Sequence, residues 1–451
     1  MSHSEPRYHR ALVWFRRDLR IADNPALTRA LRESAEILPL FIFDTNILSA
    51  LPHRDPRVRF LADAVGGLAA SLKNAGAQLL ILEGDPVEIL PGLLRKHRIE
   101  ALYHARAYSA YGTQRDDAVA RICSEQGVDV HSMDDSLLVP PAAMGPRKVF
   151  TPFFRAWQQI DKTAPAPAPT RIPGMPVTAK PGAHLIDRHA QRTGLPWQAD
   201  GWKQLLRTFD PCRYAETRNQ PGIAGTSRMS PYLRFGLLSI RQLYRHVIST
   251  ESPSCHAGTF ISELAWRDFW YHIMHHFPET RTFEFQAKRR GLAWRYDAAR
   301  FAAWQEGKTG YPIVDAGMRQ LRQEGWMHGR VRMIVASFLT KDLLMDWRMG
   351  ERHFADLLLD YDESVNIGNW QWSASVGADP KPLRIFSPIL QSQRFDPECT
   401  YIKRHVPELR NESPARIHDP LKYRLAYCEP IVDHREMQRR ARLMYLNAAG
   451  H

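Results

Sequence analysis

Asn366-Ile367-Gly368-Asn369-Trp370-Gln371-Trp372 follows closely after Asp360 and Asp362. Two indoles on either side of one glutamine are costly to leave in water. The Asn366 amide and the two carboxylates are costly to bury unless each has a partner. Such a segment suits the wall of a cavity around a large, flat aromatic ligand with a polar edge. Arg330, Arg332 and Met333 stand just upstream, behind Gly325-Trp326-Met327-His328. Taken alone, Arg330, Arg332, Asp360 and Asp362 read as a buried ion pair with solvated neighbours. Asn366 alone reads as a turn residue or a satisfied core amide.

Two further stretches carry residues with chemical use. Thr226-Ser227-Arg228-Met229-Ser230-Pro231 stands just before a helical pattern. Small hydroxyls and free backbone N–H groups at a helix start suit a phosphate, and an ordinary N-cap explains the same residues. Glu263-Leu264-Ala265-Trp266-Arg267 has helical spacing that puts Glu263 and Trp266 on one face. An amphipathic helix with a surface acid is the alternative. Two other motifs fail. Gly307-Lys308-Thr309 looks like the end of a phosphate-binding loop, but Ala302 stands where the first glycine is required. His272, His275 and His276 share helical spacing without a Glu placed for zinc chemistry, so no metal is expected.

The elements that must position these residues fall into two kinds. Apolar runs at Ala11–Phe15, Ile37–Phe43, Gln78–Leu82, Ala101–His104 and Val128–His131 alternate with helical spacing such as Arg57–Ala75. That rhythm predicts an α/β domain over 1–135, a parallel doubly wound sheet covered on both faces. No Gly-x-Gly-x-x-Gly follows the first strand, which excludes the usual dinucleotide fingerprint. Prolines at 165, 167, 169, 173, 176 and 181 predict an extended, semi-rigid connector inside a linker over 136–200. From 201 to 451 the spacing is helical, as in Tyr232–Ile248, Phe260–Phe277, Ala298–Trp304, Ile313–Leu321, Met333–Trp347 and Phe354–Leu359. The candidate ligand wall therefore belongs to an all-α C-terminal domain.

A net charge of +13 favours a polyanionic partner. No uncharged run is long enough to span a bilayer, and Met1–Arg10 lacks an apolar signal core, so no membrane is expected. The five cysteines are widely spaced with no Cys-x-x-Cys. That spacing argues against a disulfide framework or a thiolate metal site and predicts a reducing cytoplasm.

Asn366–Trp372, Gly325–His328 and Arg330–Met333 together resemble the FAD-binding core of DNA photolyases and cryptochromes. The resemblance runs from Ala11 to about Pro430 and is most like the cyclobutane pyrimidine dimer photolyases. It implies an FAD held by Tyr214, Thr226, Ser227, Arg228, Ser230, Arg332, Asp360, Asp362 and Asn366. The Thr-Ser-x-x-Ser at 226–230 would take the pyrophosphate. Arg332 and Asp360 would pair beside the ring, Asp362 would take its polar edge, and Asn366 would face N5. An amide there accepts from N5–H without itself titrating, which favours reduced flavin. Trp370, Trp347 and Trp294 match the family's electron-transfer chain; without the family, they read as core packing.

The resemblance also implies a lesion pocket. Trp266, Trp372 and Met333 match its walls, Glu263 the base-edge contact, and Arg218, Arg267 and Arg330 the DNA side. The implied reaction is light-dependent repair of pyrimidine dimers by a carbon–carbon lyase, through electron donation from excited reduced FAD to a flipped-out dimer. Glu263, Asn366 and Met333 are the candidate catalytic residues. A second, antenna chromophore is implied near Tyr108-Ser109-Ala110-Tyr111-Gly112 and Arg115-Asp116. Folate-binding relatives place Glu where Ser109 stands, so deazaflavin or FMN is the expectation.

Some positions depart from the family. Gly329 stands where many dimer enzymes have Asn, Ile367 replaces a second Asn, and Ser387 and His405 replace Asn and Trp. The segment 379–386 is one residue short. These changes bear on the substrate side more than on FAD. A cryptochrome-type blue-light photoreceptor is one alternative function. A six-four photolyase is another, disfavoured by Glu263. A basic DNA-binding module without cofactor leaves the charge and amide cluster unexplained. The expected partner is dimer-containing DNA, with no membrane and no obligate protein partner. The expected location is the cytoplasm, on the nucleoid when bound.

Overall fold

The structure is a computed structural model. It describes residues 6–51, 55–176, 182–191, 194–252, 255–380 and 383–448. Pro181, Lys381 and Pro382, which fall in the proline-rich connector and the shortened segment, lie outside them. The chain divides into two compact units. One is Met1–Pro140, Asp161–Thr208 and Arg228–Ser249; the other is Pro141–Ile160, Phe209–Ser227 and Thr250–His451.

The first unit holds five parallel strands, β1 (Tyr8–Phe15), β2 (Ser34–Asp44), β3 (Leu80–Gly84), β4 (Ala101–Ala105) and β5 (Asp129–Met133), in the order β3-β2-β1-β4-β5. Helices α1 (Pro25–Glu33), α2 (Pro56–Asn74), α3 (Pro86–His97) and α4 (Ala110–Glu125) connect them. β1 feeds two cores: Ala11, Val13 and Phe15 enter one, Leu12 and Trp14 the other. A strand buried on both faces must be apolar at every position, so it reads as an unbroken run. Asn24, Asp55 and Asp85 each accept a backbone N–H at a helix start, with proline next in line.

The proline-rich segment is docked on this unit. Ile37 N donates to Pro173 O at 2.8 Å, Met175 N to Ile37 O at 2.9 Å and Ile172 N to Ala75 O at 2.7 Å. Proline removes a donor but keeps its carbonyl, and Pro173 uses that carbonyl to join β2. The expected helix Tyr232–Ile248 is two helices, Ser230–Phe235 and Ile240–Ser249. Gly236, at φ +66, ends the first in the left-handed conformation that glycine adopts without strain. Arg241 anchors the second on Asp23 and Asp135, each at 2.9 Å.

The second unit is helical. The elements that matter to the site are α5 (Phe150–Gln159), α6 (Gly258–His276), α7 (Gly329–Ser337), α8 (Trp347–Leu357) and α9 (Glu363–Ser373). The expected continuous helix Met333–Trp347 is interrupted. After α7 a wider π turn covers Phe338–Asp342, Leu344 takes φ +56, and Asp346 caps α8. Lys341 and Asp342 are fully buried there. Lys341 Nζ donates to Ser373 O at 3.0 Å, and Asp342 binds His434 Nδ1. Buried charges need such partners, and meeting them outweighs regular helical geometry.

Close packing sets α9. A Cβ on Gly350 would collide with the Trp370 ring, and one on Gly368 with Trp270. Fully buried Gln371 donates to Thr280 O at 2.8 Å and Phe283 O at 2.9 Å and accepts from Phe285 N at 2.9 Å. The glutamine between two indoles is thus a satisfied staple.

The cysteine expectation needs correction. Cys212 and Cys255 form a disulfide across 43 residues, with Cα atoms 4.9 Å apart. Sequence spacing misleads here because the segment carrying Tyr214 folds back onto α6, within bridging distance.

Candidate functional site

A polar cradle surrounds the start of α9. Arg332 on α7 donates to Asp360 Oδ2 at 2.8 Å and to Met327 O at 2.8 Å. Asp360 is buried, whereas the Arg332 side chain keeps 28% of its surface. Asp362 caps α9, accepting from Val365 N at 3.4 Å, and also accepts from Tyr271 OH. One turn later, Asn366 Nδ2 donates to Glu351 Oε1 at 3.0 Å and to Glu351 O at 3.2 Å. Tyr361 OH donates to the same Oε1 at 3.2 Å. Burial pushes the Glu351 carboxyl up, against those two side-chain bonds. Among the described residues the Asn366 side-chain oxygen, Oδ1, accepts no hydrogen bond.

An unused amide acceptor, a carboxylate and a partly exposed guanidinium match a ring edge that alternates N–H and carbonyl groups. These residues fit the isoalloxazine of FAD.

α6 carries a second cluster. Arg218 Nη1 pairs with Glu263 Oε1 at 2.7 Å, each side chain about a third exposed. Burial raises the Glu263 carboxyl and Arg218 pulls it back. The Arg218 guanidinium lies 5.5 Å over Tyr214, whose ring meets Phe260 edge-on at 5.1 Å. Arg267 lies 5.0 Å over Tyr271, the residue that also binds Asp362. Tyr271 therefore joins the α6 cluster to the cradle. Arg330 donates to Asn219 Oδ1 at 2.7 and 3.1 Å and stacks on Phe395 at 4.4 Å. Trp266, Met333 and Trp372 are all partly exposed. The Trp372 indole N–H is buried with no partner among the described residues, and Trp372 lines a small cavity with Ser337, Ser373 and Arg384. At Gly329 an added Cβ would meet nothing within 4 Å.

Trp370 and Trp347 are buried, and Trp294 is partly exposed. Their rings are not in mutual contact: Trp370 meets Phe354 at 5.0 Å and Trp304 at 6.3 Å, and Trp294 meets Tyr445 at 6.3 Å. Trp347 Nε1 donates to Glu284 Oε1 at 3.2 Å.

The 226–230 segment crosses the boundary between the units. Thr226 and Ser227 are partly exposed in the second. In the first, Arg228 sits at φ +51 with its guanidinium 5.0 Å over Trp197. The helix beginning at exposed Ser230 has Met229 at its N-cap position, and that residue gives no side-chain cap bond.

In the first unit, residues of the expected antenna segment gather at the carboxyl ends of the strands, where open α/β sheets take ligands. Tyr111 OH donates to Asp44 Oδ2 at 2.7 Å and Arg115 pairs with Asp44 at 3.0 Å. Arg16 pairs with Asp116. Arg16 and Arg115 lie 4.6 and 4.9 Å over Trp14. Ser109 is occupied as the cap of α4, accepting from Gly112 N at 3.2 Å.

Sequence reasoning missed Glu351, Tyr271 and Asn219. Glu351 lies in Arg348-Met349-Gly350-Glu351-Arg352-His353, which reads as a solvated helix face. Its only advance signal is an acid beside Gly350, and that the glycine faces Trp370 is seen only in the fold.

Comparison with known proteins gives matches at both ends of the chain. The family described as DNA photolyase matches residues 11–171, and the FAD binding domain of DNA photolyase matches 260–447. A deoxyribodipyrimidine photo-lyase of Synechococcus sp. is 38% identical over 464 residues, covering 96% of each chain. The crystal structure of a bacterial class III photolyase from Agrobacterium tumefaciens aligns with TM-score 0.89 at 34% identity, over 99% of both chains. An archaeal photolyase from Sulfolobus tokodaii, solved with two FAD molecules, aligns with TM-score 0.89 at 32% identity, over 97% of this chain and all of that one.

Proposed function

The chain belongs to the DNA photolyase family, and on that premise we propose how its residues carry out light-dependent repair of pyrimidine dimers in DNA. The protein is a deoxyribodipyrimidine photo-lyase that uses FAD. Bound reduced FAD supplies light absorption and the electron that splits the dimer. The protein supplies positions and electrostatics.

Arg332, Asp360, Asp362 and Asn366 hold the ring, and Tyr214, Thr226 and Ser227 serve the remainder of the cofactor from the helical unit. The Asn366 oxygen is the acceptor for a ring N–H. Trp266 and Trp372 stack on the flipped dinucleotide, whose weakened pairing makes extrusion cheap. Glu263, held by Arg218, takes the base edge of the dimer, and Met333 lines the slot. Arg218, Arg267 and Arg330 serve the DNA. Trp294, Trp347 and Trp370 pass electrons between surface and interior. The observation that carries this reading is Tyr271: one side chain on α6 joins the Glu263–Trp266 helix to the Asp362–Asn366 cradle.

A second chromophore, deazaflavin or FMN, would be taken at the strand ends beside Tyr111 and Arg115, which are tied there to Asp44. No helix among the described residues is long and apolar enough to cross a membrane. The basic charge and DNA substrate favour a cytoplasmic, nucleoid-associated protein.

The test is direct. Reduced protein is mixed with a dimer-containing oligonucleotide and illuminated with blue light. Recovery of thymine absorbance supports repair. No recovery alongside normal flavin photoreduction favours the photoreceptor reading.

A further inference from the structure

Trp266 does not stand alone on α6. The ring of Phe150, first residue of α5, lies flat against it, with centroids 3.7 Å apart and planes 6° from parallel. The stack continues inward from Phe150 to Phe154 at 5.6 Å and 12°, then to Trp157 at 5.9 Å and 26°. Trp157 Nε1 returns to α6 by donating to Asp268 Oδ2 at 2.9 Å, and Asp268 is fully buried. α5 is therefore fixed to α6 at both ends of a four-ring stack.

Phe150 is also tied to the far wall. Its backbone N–H donates to Asp379 Oδ1 at 3.1 Å, and Asp379 N donates to Lys148 O at 2.9 Å. Asp379 is buried, with φ +53, in the loop that follows Trp372. One short segment thus spans the α6 indole and the loop behind the second indole. Phe150 and Trp266 are both only partly buried, so this pair sits at a rim.

A stacked neighbour changes what an indole can do. An indole exposed on both faces accepts a base on either side and can tilt about its side-chain bonds. Phe269 meets the Trp266 ring edge-on and Trp270 meets it tilted by 33°, each at 5.4 Å, so Phe150 is its one parallel neighbour, and the plane it sets leaves a single stacking surface. We propose that Phe150 is a positioning residue of the lesion pocket: lying flat on one face of Trp266, it fixes the indole plane and leaves the opposite face for the flipped dimer. This rests on the lesion-pocket reading of Trp266 above.

The experiment compares Phe150→Ala, Phe150→Leu and Phe150→Tyr with the parent protein, all loaded with FAD. It reads the ratio of affinities for dimer-containing and undamaged duplexes of one sequence. A packing defect lowers both affinities and leaves the ratio alone. Removal of ring stacking lowers the ratio, by about three- to tenfold for the energy of one aromatic pair. The expected result is a lowered ratio in Ala and Leu and a retained ratio in Tyr. A ratio retained in Leu overturns the proposal, because bulk without a plane is then enough. If the Ala variant does not fold, the Leu and Tyr pair decides alone. Trp266→Ala separates the two failures. If it leaves the ratio unchanged, the lesion-pocket reading falls and this proposal with it. If it lowers the ratio while Ala and Leu at 150 do not, only the proposal falls.

Discussion

Asn366 gives its amide hydrogens to Glu351, at 3.0 Å to the carboxyl oxygen and 3.2 Å to the main-chain oxygen. The two bonds fix which way the amide points and leave its side-chain oxygen without a partner among the described residues. Glu351→Ala removes the side-chain bond. A hydrogen bond to a charged group is worth about 1.5–3 kcal/mol, and part of that holds the amide orientation. Air re-oxidation of the photoreduced flavin is expected to accelerate by about tenfold in the Ala variant. Glu351→Gln keeps an acceptor for Asn366 and is expected to stay near the parent rate. Equal rates in all three proteins would show that Glu351 does not orient Asn366.

The same carboxyl has a signature in folding stability. Burial raises its pKa in the folded chain, so between the unfolded and folded values the folded state holds the extra proton. The stability it contributes is present below the ordinary carboxylate range and is lost as pH rises through the folded value. Glu351→Gln is free of that loss. Relative to the parent, the Gln variant is expected to gain stability from about pH 4 to 7, by about 1.4 kcal/mol for each unit by which the carboxyl is raised. Denaturant melts at both pH values check this, and a gain on acidification would reverse the sign.

Glu263 and Arg330 are expected to fail in different ways. Glu263→Gln weakens binding of dimer-containing DNA while flavin content stays at the parent level. Arg330→Ala weakens damaged and undamaged DNA alike and lowers the slope of log K against log salt by about 1, as expected when a single phosphate is no longer neutralised. Binding isotherms at several salt concentrations separate the two. Loss of FAD from the Glu263 variant would move that residue out of the lesion pocket.

Trp294 is the partly exposed member of the three candidate relay tryptophans. A phenyl ring is a far poorer electron donor than an indole. Trp294→Phe is therefore expected to slow photoreduction of the oxidised protein by about tenfold or more, the effect of raising the barrier by about 1.4 kcal/mol. Repair by protein reduced beforehand is expected at the parent rate. Stopped repair in the pre-reduced variant would give Trp294 a role other than relay.

Much of this was legible in the residues. The five strands show as apolar runs because a parallel sheet is buried on both faces, so Leu12 and Val13 serve opposite cores. The interrupted helix after Ser337 was not legible, because Lys341 and Asp342 look like solvated charges until their distant partners, Ser373 O and His434, are known. Glu351 was hidden for the same reason: its partner is 15 residues away on another helix. Phe150 was hidden by its type, since a phenylalanine ahead of Phe153 and Phe154 reads as core. Cys212 and Cys255 needed the fold to bring them together. The unread features all depend on contacts between segments distant in sequence, which spacing along one chain does not encode.

The central claim is that the helical unit encloses a flavin whose ring meets Asn366. Protein purified in the dark is denatured, and the released cofactor is identified and counted by its absorbance. We expect about one FAD per chain, one cofactor for the one cradle around Asn366. A colourless protein that takes up no FAD on reconstitution would contradict the account.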